Sequence, residues 1–396
     1  MKVAHEKVHE AEGRVAEAKA NFLPSANLSF QYTPAQEFPT IRIPAGIFGP
    51  EEQTFQAAFT RQNIMQLDFS QPLYTGGRLR NTFGLQAAAA DGARLTLDRA
   101  RQQLTLQVVE TFYRALLQEQ GVGVAEQGVR LAEEQLAIAK TRFDAGSAAR
   151  FDVLRAEVDV ANARTTLIRA KTAVDIAYQA LRTVLSLPAE TPLTLQGTLE
   201  QVSDLPAQEM LLSGLDRRPD LRAITSQRQM AERSAAIASG EMQPSFYLNG
   251  NLQYQEDVVS RSFLDPTNRS YTVGFAMRIP LFATPGAVAR RTTARAQIQE
   301  AIHGLDAALD SGRLEVTSAY TEWTASHEVV DAQRKALDLA RESLSIAQVS
   351  YENGLITSIE LSDARQALVE TEWNLAQAKF AQILAAAKTR YAAGLS

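Results

Sequence analysis

The chain has 396 residues, a net charge of −5, no cysteine and a mean hydropathy of −0.18. That charge leaves no basic footprint for nucleic acid, and without cysteine the chain holds no disulfide, thiolate metal site or lipidated cysteine. It contains no run of 18 apolar residues, so no helix long and apolar enough to cross a membrane is expected.

In chain order, a short helix is expected near 1–21. It carries His5-Glu6-Lys7-Val8-His9, a match to the H-E-x-x-H zinc pattern with both histidines on one helix face. A zinc peptidase needs a third ligand and a cleft. His303 and His327 lie far away in the second half, so the pattern reads as chance on a solvated face, with a zinc metallopeptidase as the remote alternative. The chain as given is expected to open directly on this helix, Met1 leading into helical pattern without a signal-peptide pattern.

The period then changes to two. Ala26, Leu28, Phe30 and Tyr32 alternate with Ser25, Asn27, Ser29 and Gln31; Met65, Leu67 and Phe69 alternate with Gln66, Asp68 and Ser70. Each run is a strand with one apolar and one polar face.

From Pro72 to Pro188 there is no proline, which permits long helix. Helices are expected at 76–143 and 150–186, reversed at Gly146. A helix of that first length is roughly 100 Å long at 1.5 Å per residue. Apolar residues at Val129, Ala132, Leu136, Ala139 and Phe143 form a 3.5-residue seam, and Val124, Leu131 and Ile138 form a second. Two seams per helix suit packing on two neighbours, as in a closed ring. Gly121, Gly123 and Gly128 predict a bend or looser turn. A proline-containing linker follows at 188–219, and a further helix is expected near 208–241.

The second half repeats the first. Phe246, Leu248, Leu252 and Tyr254 alternate with Asn249, Asn251 and Gln253; Tyr271, Val273, Phe275, Met277, Ile279 and Leu281 oppose Thr272 and Arg278. Helices are expected at 286–350 and 358–393, reversed at Gly354, with seams at Leu337, Ala340, Leu344, Ala347 and Tyr351, and at Leu339 and Ile346. At an offset of 208 residues, Pro72-Leu73-Tyr74 falls on Pro280-Leu281-Phe282 and Phe143-Asp144-Ala145-Gly146 on Tyr351-Glu352-Asn353-Gly354. Pro24-Ser25 meets Pro244-Ser245 at an offset of 220, so the first copy has the longer strand connection. Repeats of this length indicate architecture rather than one catalytic pocket. The organisation is therefore a first structural repeat at 1–187, the linker at 188–219 and a second repeat at 220–396. The fold class is mainly α with a small β part suited to a membrane. Four strands cannot close a barrel alone, and open edges in lipid require partners. A soluble sheet covered by helices, in a periplasmic helical-hairpin adaptor or structural protein, is the alternative.

Asn21-Phe22-Leu23-Pro24, Gln71-Pro72-Leu73-Tyr74-Thr75-Gly76-Gly77, Arg217-Arg218-Pro219-Asp220-Leu221 and the two glycine turns together resemble the TolC family of outer-membrane efflux channels, over nearly the whole chain. The first repeat has no counterpart of the Arg-Arg-Pro-Asp-Leu start, so a preceding segment is expected. The resemblance implies a non-enzymatic homotrimer without cofactors, sharing a 12-stranded β-barrel in outer-membrane lipid and an α-barrel tunnel across the periplasm. It also implies docking to a periplasmic adaptor (a membrane fusion protein) and through it to an inner-membrane pump or ABC exporter. In such channels the tip latch aligns with Asp152 and Tyr351. An arginine used elsewhere in the family falls on Ile356 here, so part of that latch is absent or replaced by hydrophobic packing. Asp152 reads equally as a helix N-terminal charge. Glu360 and Asp363, at i and i+3, would form acidic rings at the pore constriction, or else stand as solvated N-terminal charges. The tips Gly146, Ser147, Ala148 and Gly354, Leu355, Ile356 are short and small or apolar, which suits adaptor contact.

Overall fold

The computed structural model describes residues 1–34, 40–47, 49–56, 62–200, 204–256, 269–282 and 285–395. Its elements are α1 (Lys2–Ala20), β1 (Ser25–Thr33), β2 (Thr40–Ile43), β3 (Gln53–Gln56), β4 (Gln62–Thr75), α2 (Arg78–Asp144), α3 (Arg150–Val184), α4 (Gln208–Ser213), α5 (Pro219–Gly240), β5 (Ser245–Glu256), β6 (Arg269–Arg278), α6 (Pro285–Glu352) and α7 (Ser358–Ala392). The chain divides into two compact units, each drawing on both halves of the sequence. One comprises Lys2–Arg94 with Ala223–Gly304, the other Leu95–Arg222 with Leu305–Ser396 and Met1.

The first unit holds the sheet, in the order β1-β4-β5-β6, with every neighbouring pair antiparallel. Its register brings Leu28, Leu67, Leu252 and Tyr271 level on one face, and Asn27, Asp68, Asn251 and Thr272 level on the other. The alternation thus runs unbroken across all four strands. Phe30, Tyr271, Val273 and Phe275 are exposed, the last at 81%. β4 is longer than expected and carries an irregularity between Pro72 and Tyr74. Proline has no N–H to give the ladder there. The short hairpin β2–β3, pairing Thr40–Ile43 with Gln53–Gln56, was not expected and lies in the longer connection of the first copy.

At the foot of the sheet, Gly76 takes φ +65°, and a β-carbon there would lie 2.5 Å from the carbonyl oxygen of Gly240. Two backbones touch at this point, so the Gly76-Gly77 pair serves close approach as well as the turn. In the same unit Arg94 on α2 joins Glu12 on α1 at 2.9 Å.

The second unit is a set of packed helices. Val330, Leu337, Leu344 and Tyr351 on α6 meet Leu361, Leu368 and Leu375 on α7, with Leu131 and Ile138 of α2 packed against them. The expected α6 seam is therefore the one that is buried. On α2 the expected second seam, Leu131 and Ile138, packs on this core beside buried Gln135; of the first seam Ala139 is buried, whereas Phe143 is exposed. Gln135, a polar residue in this stripe, accepts a hydrogen bond from Arg365 (2.6 Å) and donates to the Ser358 carbonyl (3.4 Å). Leu339 and Ile346 are exposed.

The glycines of α2 do not interrupt its helix, which runs unbroken from Arg78 to Asp144. At Gly121 a β-carbon would lie 2.8 Å from the Trp373 ring, so this glycine admits a neighbour. The helix expected near 208–241 is split into α4, a 3₁₀ turn at Leu215–Arg217 and α5. Pro219 forces Arg218 into an extended conformation (φ −59°, ψ 130°) and so starts α5 afresh.

Arg218 is the hub of this unit. Its guanidinium, almost wholly buried, donates to Asp220 (2.7 and 3.1 Å) and to the Ala392 carbonyl (2.6 Å), and pairs with Glu315 (2.8 Å). It ties the start of α5 to α6 and to the end of α7. Burial would push the Asp220 carboxyl up, but the hydrogen bonds and charge of Arg218, with Arg99, outweigh it and hold it below the usual range. The linker packs on the helices, with Leu195 and Leu199 seated against Leu116, Leu117, Ala376 and Ile383.

Candidate functional site: hairpin tips and a two-faced sheet

Both tip turns are built alike. Gly146 (φ +71°) and Gly354 (φ +74°) donate to the carbonyls of Phe143 and Tyr351, while Ser147 and Leu355 donate to Arg142 and Ser350. These are Schellman closures, in which a left-handed residue turns the last N–H groups back onto orphan carbonyls. The same pattern closes α7 at Gly394 and α3 at Ser186, which adopts φ +56° without being glycine. Leu355 projects, 77% exposed.

Two links join the hairpins near the turns. Arg142, at the end of α2, donates to the Tyr351 carbonyl (3.0 Å) and lies 4.8 Å from the Tyr351 ring centre. Asp152, in the first turn of α3, accepts from the Ser358 hydroxyl of α7 (2.9 Å) and from the Ala149 N–H (3.2 Å). Asp152 therefore caps its own helix and reaches the other hairpin at once. Tyr351 is buried in the helical core and meets Arg142 rather than a carboxylate. One turn deeper, Ser362 donates to Asp159 (3.2 Å). Arg365 is buried, with its Nε unpartnered, and its hydrogen bond to Gln135 ties α7 to α2. Arg142, Ser358 and Arg365 were missed from sequence. The only signal was their spacing beside Gly146 and Gly354.

Glu360 and Asp363 are exposed near the start of α7. Glu360 closes a capping box: its Oε2 accepts from the N–H (2.7 Å) and hydroxyl (2.9 Å) of Thr357, whose hydroxyl accepts from the Glu360 N–H. The bond from the Thr357 N–H, and then that from its hydroxyl, hold the Glu360 carboxyl below the usual range. His5 and His9 stack edge to face on α1 with ring centres 4.8 Å apart. Glu12, 3.8 Å from His9, is engaged by Arg94.

On the sheet's polar face, Asp68 accepts from Asn251 (2.8 Å) and from Gln66 (2.8 and 2.9 Å), and Ser70 donates to Asn249 (2.9 Å). One unit thus holds a sheet with one polar and one bare apolar face, and the other holds helical hairpins closed by tight, polar-linked turns, features of a membrane channel. A model described as outer membrane efflux protein matches residues 1–186 and 212–395. The chain belongs to that family, which places it in the outer membrane with long periplasmic helices, as a channel and not an enzyme.

The cobalt-zinc-cadmium resistance protein CzcC of Cupriavidus metallidurans is 25% identical over 226 residues, which are 56% of this chain and 51% of that protein. The match thus spans about half of that relative. Protein CyaE of Bordetella pertussis is 25% identical over 364 residues, 90% of this chain and 75% of that protein. The solved structure of CusC superposes with a TM-score of 0.85 at 19% identity, covering 100% of this chain and 89% of that one.

Proposed function

We propose that three copies of this chain form one exit duct, each giving four strands to a 12-stranded barrel and its helices to a periplasmic tunnel. The observation that carries this is the sheet: β1 and β6 are open edges among the described strands, and the apolar face is bare. Unpaired ladder groups in hydrocarbon cost several kcal/mol each, so edge must meet edge in another copy. The exposed Leu339 and Ile346 of α6, with Phe151, Leu154 and Val158 of α3, supply apolar stripes at helical spacing for the same contact. A soluble adaptor would leave this apolar sheet in water, which disfavours that reading. Mass measurement in detergent is expected to give three protomers per particle. A stable detergent-free monomer would overturn the reading.

Conduction is passive, and energy comes from an inner-membrane pump or ABC exporter joined through a periplasmic adaptor at the tips (Gly146, Ser147, Ala148, Gly354, Leu355 and Ile356). Asp152 and Tyr351 take part in holding the tip shut. The bonds from Ser358 to Asp152 and from Arg142 to Tyr351 support this, since each joins one hairpin to the other. Glu360 and Asp363 line the constriction as acidic rings of the trimer. Their exposure supports it, and Glu360 keeps Oε1 free beyond its capping bonds. Such rings favour cationic cargo, the class named for the partial relative CzcC. Glu360→Gln with Asp363→Asn is expected to weaken block by trivalent cations in single-channel recordings. Unchanged block in an assembled trimer would remove the rings from the pore.

A further inference from the structure

Asp68 is the one carboxylate on the polar face among the described side chains of the four strands; its level is shared by Asn27, Asn251 and Thr272. Its hydrogen-bond donors are the neutral amides of Gln66 and Asn251, so its charge is positioned without being cancelled. Arg278 shares this face but sits at the far end of β6, opposite Ser245. Gly274, two pairs along from Thr272 on the same face, leaves open space on the sheet, since a β-carbon there would meet nothing within 4 Å. Asp68 is half-buried and lies in a groove on the polar face with Ser70, Asn249 and Thr272.

We infer that Asp68 is a selectivity residue of the membrane-spanning part, a fixed negative charge that biases the barrel lumen toward cations and against anionic solutes. This rests on the trimeric-barrel reading, in which three copies of Asp68 ring the lumen at one level, remote in sequence from the tip acids. Neutral amides hold the carboxylate upright without offering a counter-charge, and charged rings set ion preference in pores.

The absence of native cysteine allows a direct test. Thr272→Cys places a thiol on Asp68's level, exposed and two strands away, about 10 Å at the usual strand spacing. Its rates of reaction with a cationic and an anionic membrane-impermeant methanethiosulfonate are measured on assembled protein. A unit charge about 10 Å away in water changes the cation-to-anion rate ratio about threefold at 10 mM salt, and hardly at all at 1 M.

Asp68→Asn is expected to lower the ratio by at least that factor at low salt, and Asp68→Glu to keep it. If neither Asp68→Asn nor Asp68→Ser assembles, the salt dependence of the ratio with Asp68 intact decides. A thiol that reacts with both reagents at a ratio indifferent to salt and to residue 68 would overturn the role of Asp68 alone. A thiol inert to both reagents in assembled trimers would show that this face meets no water, and the barrel reading would fall with it.

Discussion

Replacing Arg218 with methionine removes a guanidinium that four groups depend on while keeping most of the aliphatic stem. Its partners are the two Asp220 oxygens, Glu315 and the Ala392 carbonyl, at 2.6 to 3.1 Å. Hydrogen bonds involving a charge contribute about 1.5–3 kcal/mol each, but they act as one network and do not add. Glu315 is 42% and Asp220 33% exposed, so water takes over part of what the arginine supplied. The buried Ala392 carbonyl bond is lost outright. A net loss of about 3 kcal/mol follows, at the low end for breaking a buried pair. For a unit of about 220 residues, unfolding entropy near 2 cal/mol/K per residue makes this roughly a 6 °C fall in melting temperature.

Thermal melts followed by helical circular dichroism in detergent measure it. Because the folded Asp220 carboxyl titrates below its unfolded value, its stabilisation is complete above about pH 4 and disappears as pH falls through the lower folded value. The gap between wild type and Arg218→Met should therefore narrow in acid. An unchanged melting temperature at pH 7, or a gap that widens in acid, would refute the network as a stabiliser.

Gly76→Ala sets a methyl 2.5 Å from the Gly240 carbonyl at positive φ; folded protein in the membrane fraction should fall sharply, and wild-type yield would refute the close approach. Ser186→Gly relieves a left-handed residue at the end of α3 and should stabilise by about 1 kcal/mol, read as a small rise in melting temperature. Glu6→Gln should leave transport unchanged, with less than one zinc per chain by elemental analysis of untagged protein; stoichiometric zinc with lost function would revive the His5/His9 site.

Periodicity exposed the long elements well. Proline-free windows and spacings of three and four marked α2, α3, α6 and α7 to within two residues at every end, because an apolar stripe on so long a helix leaves many consistent signals. Strand faces were equally plain, since the register keeps Leu28, Leu67, Leu252 and Tyr271 level. What stayed hidden depends on partners distant in sequence. Gln135 looks like a surface residue until Arg365 is beside it, 230 positions away. Gly121 looks like a helix breaker until Trp373 occupies the space its missing side chain leaves. At the tips, Ser358 and Arg142, which bond to Asp152 and to the Tyr351 carbonyl, announce nothing by residue type. The β2–β3 hairpin was hidden by brevity, as four residues alternate too briefly to stand out.

The two open edges of the sheet also govern how the protein must be made. A single chain presents the free ladders of β1 and β6, the edges of the described four-stranded sheet, together with the bare side chains of Tyr271, Val273 and Phe275. That is the combination which templates aggregation. Folding of the strands ahead of assembly is therefore hazardous. The helices can form early, since their contacts within one chain are extensive, but under the proposed trimeric barrel strand pairing is safest when three chains and the bilayer are present together. On that proposal, a periplasmic holdase that covers the strand segments, and a membrane step that closes the ring in one concerted event, are demands set by the unfinished sheet.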